Sequence, residues 1–341
     1  MEKVKIIEVG PRDGLQNIDS FVPTDKKIQF IKRLAACGIK EIQIGSFVAP
    51  QAIPQFKDIK EMVKGVNALR DVVLSALVPN VRGAENAIAC GIRKFIFFFS
   101  ISKAHNCCNV RQTPAESIKE LQRICRAYLG DSAITLHVAL ATAFGCPFEG
   151  NIKTDAVLRA VDKVAACGIE EITLCDTVGF GNPQMIEEKF SACRKRFPEI
   201  TFGAHFHNTR GLALANTLRA YDTGIRSFDA AAGGLGGCPY APKSSGNVAT
   251  EEVVFMFEEM GITTGIDLKN LLGVCRFLQK ILPQAKIASS LFQAGLPEKH
   301  KFITDNKRGR LNDQSRFNNI NCYRFPGQSF SGHAGQGKSS G

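Results

Sequence analysis

AACGIKEIQIG, residues 35–45, is the phrase on which the fold turns, because the chain repeats it. It returns as ACGIRKFIFFF at 89–99, as AACGIEEITLC at 165–175 and as YDTGIRSFDAA at 221–231. Each copy closes a helix-like stretch, then runs Gly, Ile, a charged residue and a β-rich run. A Gly at that point can take the left-handed conformation that stops a helix, and the Ile leads into a buried strand. One αβ unit used over and over is the mark of an alternating α/β fold.

Working outward from these copies gives eight candidate strands, near residues 3–8, 40–45, 72–77, 94–99, 133–140, 171–175, 201–206 and 226–230. Helical stretches separate them, among them Thr24–Cys37, Glu116–Tyr128, Asp155–Cys167 and Asn182–Arg196. Eight parallel strands in chain order predict a TIM (β/α)8 barrel, with an open doubly wound sheet as the alternative. The expected organisation is a barrel with a helical extension over residues 1–300. A polar, aperiodic and basic tail over 301–341 is expected to be disordered and removable.

A barrel enzyme gathers its reactive residues at the ends of the strands. The sequence has that asymmetry. GPRDGLQN follows the first candidate strand, SISKAHN the fourth and CDTVGFG the sixth. HFHNTRG ends the seventh, and GGLGGCPYAPKSSGN follows the eighth. The loops at the other end are short and plain.

Bulk properties exclude several classes. The net charge is +11, of which the tail supplies +5, and the basic residues of the first 300 do not cluster among aromatics, so nucleic-acid binding is not expected. No apolar run reaches the roughly 20 residues of a membrane span. The opening MEKVKIIEVG reads as a strand with no signal or transit segment ahead of it, so a cytoplasmic protein is expected. Twelve cysteines without a Cys-x-x-Cys pair suit buried thiols better than disulfides or structural zinc. GHAGQGKS from Gly332 fits a phosphate-loop pattern but has neither strand before it nor helix after it, and Pro242 spoils the match from Gly237.

His205 and His207 stand two apart on a candidate strand and so point the same way, which suits two imidazoles on one metal. Two satisfied polar residues is the plainer reading. Asp13 follows Arg12 at the same face, as a carboxylate ligand beside a fixed cation or as an ordinary ion pair. Two His and one carboxylate suit an octahedral ion such as Mg2+ or Mn2+. Arg12 could hold the oxygen of an enolate. Cys238, in a Gly-rich loop, is either a structural thiol or a loop-borne acid/base. Asn247 could add a neutral oxygen to the metal.

VGPRDGLQN, GSFVAPQAIPQ, HFHNTRG and GGLGGCPYAPKSSGNVATE together resemble the 3-hydroxy-3-methylglutaryl-CoA lyases, from about residue 3 to 280. The resemblance implies a retro-Claisen cleavage to acetyl-CoA and acetoacetate, a step of leucine degradation, with an acyl-CoA as substrate. It implies that Asp13, His205, His207 and Asn247 hold the metal, Arg12 stabilises the enolate and Cys238 is the catalytic loop cysteine. Gln16 falls beside the site and Asn109 near the CoA portion. Three positions depart from the family: Gln43 stands where it has Glu, Ala139 and Ala141 where it has an aromatic and a small polar residue, and Arg210 where it has Tyr. A lyase for another 3-hydroxyacyl-CoA therefore stays open. A condensing synthase resembling the isopropylmalate and homocitrate enzymes is disfavoured by Thr209 and Cys238. A silent paralogue is disfavoured by the intact Arg12, Asp13, His205, His207 and Cys238. A homodimer is compatible with the sequence, which does not specify it.

Overall fold

The four glycines of the repeated phrase all adopt positive φ: Gly38 at 95°, Gly91 at 94°, Gly168 at 84° and Gly224 at 91°. Each amide closes the preceding helix, bonding the carbonyl three residues back at 2.8–3.0 Å (Ala35, Ile88, Ala165 and Tyr221). The following Ile39, Ile92, Ile169 and Ile225 are buried and start the turn into the next strand. The repeat is thus a helix stop followed by an anchor, as its residue types require.

The computed structural model describes residues 2–237, 246–285 and 287–296. Its strands are β1 (Lys5–Glu8), β2 (Glu41–Ser46), β3 (Val73–Leu77), β4 (Lys94–Ser100), β5 (Thr135–Ala141), β6 (Glu171–Asp176), β7 (Thr201–Phe206) and β8 (Ser227–Ala230). All pair in parallel with their sequence neighbours, and β8 pairs with β1 to close the barrel. The open-sheet alternative is excluded by that closure. The helices between them are α1 (Thr24–Ala36), α2 (Ile59–Val66), α3 (Val81–Ala89), α4 (Lys103–Val110), α5 (Pro114–Tyr128), α6 (Thr154–Ala165), α7 (Pro183–Arg196) and α8 (Ala213–Asp222). The chain goes on to α9 (Thr250–Glu259), α10 (Leu268–Ile281) and α11 (Ser290–Ala294). Local chemistry sets the helix starts. Asn80, Ser102, Asn182 and Asp267 cap with their side chains, and Thr113 with Glu116 forms a reciprocal capping box.

The outward faces of the strands and the inner faces of the helices make one continuous apolar core. The helical extension joins it at a tight contact. The Asp267 amide bonds the Cys37 carbonyl at 2.8 Å, and a Cβ on Gly38 would come within 2.5 Å of the Gly265 carbonyl oxygen. Among the described residues no cysteine is in a disulfide. Six of the described thiols are buried, as expected for most of them, and Cys107 and Cys108 on α4 are exposed. Cys238, the tail over 301–341 and both phosphate-loop matches lie wholly or largely outside the described residues. No described helix is long and apolar enough to cross a membrane.

Candidate active site

The first strand runs directly into a single turn of π-helix over Gly10–Gly14. The amides of Arg12, Asp13 and Gly14 all converge on the Val9 carbonyl. Wide turns of this kind interrupt regular structure, often where side chains are presented for function. Here the turn sets Arg12 and Asp13 side by side at the mouth of the barrel. On β2 a bulge shifts the pairing with β3 between Gln43 and Gly45. Gln43 is buried there and accepts from Arg12 Nε at 3.1 Å and Nη2 at 3.0 Å through the same oxygen. The third nitrogen, Nη1, donates to Asp13 Oδ1 at 2.5 Å. The guanidinium is therefore gripped from two sides. Its partner at position 43 is a neutral amide, so that contact leaves the positive charge uncancelled.

His205 lies near the end of β7 and His207 one residue beyond it, with ring centroids 5.2 Å apart. Asp13 Oδ2 is 3.9 Å from His205 Nε2 and 3.5 Å from His207 Nε2. The ligand atoms of the three residues lie within 4.8 Å of one another. Donors about 2.1 Å from one octahedral ion are separated by roughly 3–4 Å, so the set fits a single cation. Burial would raise the Asp13 pKa. The Arg12 charge, the His207 hydrogen bond and the two imidazoles outweigh it and hold the carboxyl well below its ordinary value. A deprotonated carboxylate facing two imidazoles is the donor state a metal needs.

Asn247 reaches the same place by backbone pairing. The Asn208 amide bonds the Gly246 carbonyl at 2.8 Å and the Val248 amide bonds the Phe206 carbonyl at 3.0 Å. His207 and Asn247 form the bridge between. The Asn247 amide nitrogen donates to Asp13 Oδ2 at 2.8 Å and to the Leu235 carbonyl at 3.0 Å. To offer its oxygen to a cation shared with Asp13, the amide has to turn over and give up both bonds. Gly246 is required beside it, because a Cβ there would collide with the backbone of Gly236.

Arg12, Asp13, Gln16, Gln43, Asn109, His205 and His207 line a single cavity of about 890 Å3. So does Gly237, the last described residue before Cys238. Of the three departures noted in the sequence, Gln43 and Ala139 line this cavity. Arg210 instead donates to the carbonyls of Val178 and Gly179 and covers the Phe180 ring.

Sequence reasoning missed Asp229. Its Oδ2 lies 3.0 Å from His205 Nδ1, and the two residues are register partners across β7 and β8. A carboxylate on Nδ1 fixes the ring so that Nε2 faces Asp13. The available signal was a lone acid in the strand SFDA. Asp176 was also missed. It is buried, and burial raises its pKa although the amides of Gly181 and Phe180 bond to it.

The HMGL-like family model matches residues 3–278. The chain is 42% identical over 279 residues to the hydroxymethylglutaryl-CoA lyase YngG of Bacillus subtilis, covering 82% of this chain and 93% of that one. It is 38% identical to the (R)-citramalyl-CoA lyase of Chloroflexus aurantiacus, covering 83% and 92%. Among solved structures it is similar to an HMG-CoA lyase of Acinetobacter baumannii in complex with coenzyme A and 3-methylmalate. That match has a TM-score of 0.82 and 41% identity, over 88% of this chain and 98% of that one. The chain belongs to the HMGL-like family and is, within it, a carbon–carbon lyase of the hydroxymethylglutaryl-CoA lyase kind.

Proposed function

We propose that this chain cleaves 3-hydroxy-3-methylglutaryl-CoA to acetyl-CoA and acetoacetate, with a divalent cation, Mg2+ or Mn2+, held by Asp13, His205, His207 and a turned Asn247 amide. The observation that carries the reading is the cluster of Asp13, His205 and His207 beside a fixed Arg12 at the mouth of the barrel cavity. The cation supplies Lewis acidity, making the substrate hydroxyl easier to deprotonate. The carbon–carbon bond breaks as the hydroxyl proton passes to the thiolate form of the proposed shuttle, Cys238, which as a thiol can then supply the enolate carbon. The electron pair of the broken bond passes to the acetyl thioester as an enolate, and the carbinol carbon becomes the ketone. Arg12 donates to the enolate oxygen, and its grip by Gln43 and Asp13 makes it ready to do so without rearrangement. The enolate carbon then takes up a proton. Cys238, next in sequence after the cavity-lining Gly237, is the proposed shuttle for it. Gln16 and Asn109 line the cavity wall, which supports a position beside the site for Gln16 and one near the CoA portion for Asn109.

A second reading has its own support. Gln43 and Ala139 both line the cavity, and one relative is a citramalyl-CoA lyase. The same constellation would then act on a different 3-hydroxyacyl-CoA.

The test is a coupled assay over a panel of 3-hydroxyacyl-CoA thioesters in Mg2+, in Mn2+ and after EDTA treatment. Release of acetoacetate that EDTA abolishes and either ion restores supports the reading. Turnover indifferent to EDTA, or confined to another thioester, replaces it.

A further inference from the structure

The inner and outer faces of β4, β5 and β6 pack into separate clusters. Phe95, Phe97, Val138, Leu140 and Leu174 belong to the outer core. Ile96, Ala139 and Cys175 form a small cluster of their own, with Phe98 against it. This follows from alternation along a strand, since every second residue faces the barrel interior. The four inner residues line the same cavity as Asp13, His205 and His207. The register connects them. Cys175 is paired with His205, Thr173 with Ala139, and Ala139 with Phe98. An apolar wall therefore starts beside the metal-binding cluster and runs across three strands.

Barrel interiors are ordinarily filled by bulky branched side chains. Here the small Ala139 stands at an interior position, paired with Thr173, and it lines the cavity. His137 and Thr173 also line it, and they hydrogen-bond to one another at 2.8 Å. Burial lowers the His137 pKa and so disfavours a charge on its ring. The cations that line the cavity are Arg12 and Arg111, and neither belongs to the apolar wall; Lys94, engaged by Glu41 and Glu171, does not line it. A carboxylate pushed into the recess would find no free positive partner there, whereas an alkyl group would be in apolar surroundings.

We propose that this recess receives the alkyl substituent on the carbinol carbon and admits chains longer than methyl. The enzyme's substrates would then be 3-hydroxy-3-alkylglutaryl-CoA thioesters as a class, up to a propyl or isobutyl group, with Ala139 setting the limit. The inference rests on the lyase reading above and deepens it.

The experiment measures kcat/KM on 3-hydroxy-3-methylglutaryl-CoA and its 3-propyl homologue for the wild type, Ala139→Leu and the milder Ala139→Val. The wild type is expected to cleave the propyl substrate within about 3-fold of the methyl one. Leu should lower the propyl-to-methyl ratio of kcat/KM at least about 10-fold, as discrimination by single methylene groups allows. Val should shift the ratio in the same direction by less, which keeps the test open if Leu does not fold. Cleavage of the methyl substrate alone by the wild type overturns this inference and leaves the lyase reading standing. An unchanged propyl-to-methyl ratio in both variants overturns it too. Turnover of neither substrate by the wild type removes the lyase reading, and this inference with it.

Discussion

The two ends of the barrel interior both carry clustered charge, and they use it differently. At the floor, Lys5 meets Glu41 at 2.6 Å, and Lys94 lies 3.2 Å from Glu41 and 2.6 Å from Glu171. Two cations face two anions. Burial works against the charged forms of Lys94 and Glu171, and their mutual attraction more than offsets it, raising the first pKa and lowering the second. At the mouth, Arg12 occupies one oxygen of Asp13, and the other oxygen faces two imidazoles and an amide. Both Nε2 atoms stand close to that oxygen with room for one ion among them. A plug closes its own charge balance, whereas a site leaves donors converging on a point. The comparison predicts that changes at the mouth cost chemistry and changes at the floor cost stability.

The largest expected effect on the chemistry is that of Cys238→Ser. A hydroxyl has a far higher pKa than a thiol and cannot shuttle a proton at working pH. We expect kcat to fall roughly 10²–10⁴-fold with little change in KM or metal content. Steady-state kinetics and metal analysis check this. A Ser variant with more than about half of wild-type kcat would take Cys238 out of the mechanism.

Lys94→Met probes the floor. It leaves Glu41 and Glu171 without their shared cation in a buried setting. Glu41 keeps Lys5 and Glu171 is 36% exposed, so the loss should fall below that of a fully buried pair, at roughly 1–3 kcal/mol, to be read by urea unfolding. The folded fraction should keep wild-type kcat per active site. A loss of kcat without loss of stability would break the division between the two ends.

How much of this division the sequence displays depends on how far apart the partners lie along the chain. The fold is legible because its unit is local: a Gly that must stop a helix and an Ile that must be buried sit next to each other. Arg12 and Asp13 are adjacent, and His205 and His207 are two apart, so each pair announces itself. The floor is hidden, because Lys94 lies 53 residues from Glu41 and 77 from Glu171. Asp229 is hidden for the same reason, being brought to His205 by strand register alone. The bulge at Gln43, the π-turn and the amide orientation of Asn247 follow from tertiary fit, and no spacing encodes them.

Glu8 gives a pH-dependent test of the frame behind the mouth. Its carboxylate accepts from the amides of Gly10 and Ala232 and from the Thr250 hydroxyl, and so ties β1 to the loop after β8 and to α9. Burial, with Glu251 adding to it, raises its pKa from 4.5 to about 7 despite those bonds. A raised carboxyl pKa means that the folded state binds the extra proton. The associated stability is fully present below pH 4.5 and is lost as pH climbs to about 7, a change of about 3 kcal/mol at most. Glu8→Gln keeps an acceptor for the amides and does not titrate. Unfolding free energy should therefore fall less for the variant than for the wild type between pH 5 and 7.5. Identical slopes would show that Glu8 is ionised throughout that range.

The smallest effect sharpens the comparison most. Each end of the interior holds a buried histidine fixed by one partner: His205 by Asp229 at the mouth, His137 by Thr173 at the floor. A carboxylate partner does more than orient a ring. It fixes the proton on Nδ1 and makes Nε2 a better donor to a metal, which a hydroxyl does weakly. Asp229→Asn keeps the size and one acceptor oxygen but removes the charge. We expect metal affinity to fall about 10–100-fold, measured by Mn2+ titration against a competing chelator, with kcat largely recovered at saturating metal. His207 has no such support, since its Nδ1 is buried without a hydrogen-bond partner, so the burden of orientation falls on the His205–Asp229 pair. His137→Gln should leave Mn2+ affinity unchanged. If Asp229→Asn also left it unchanged, the ring of His205 would be held by strand packing alone. The mouth would then be no more specialised for a metal than the floor.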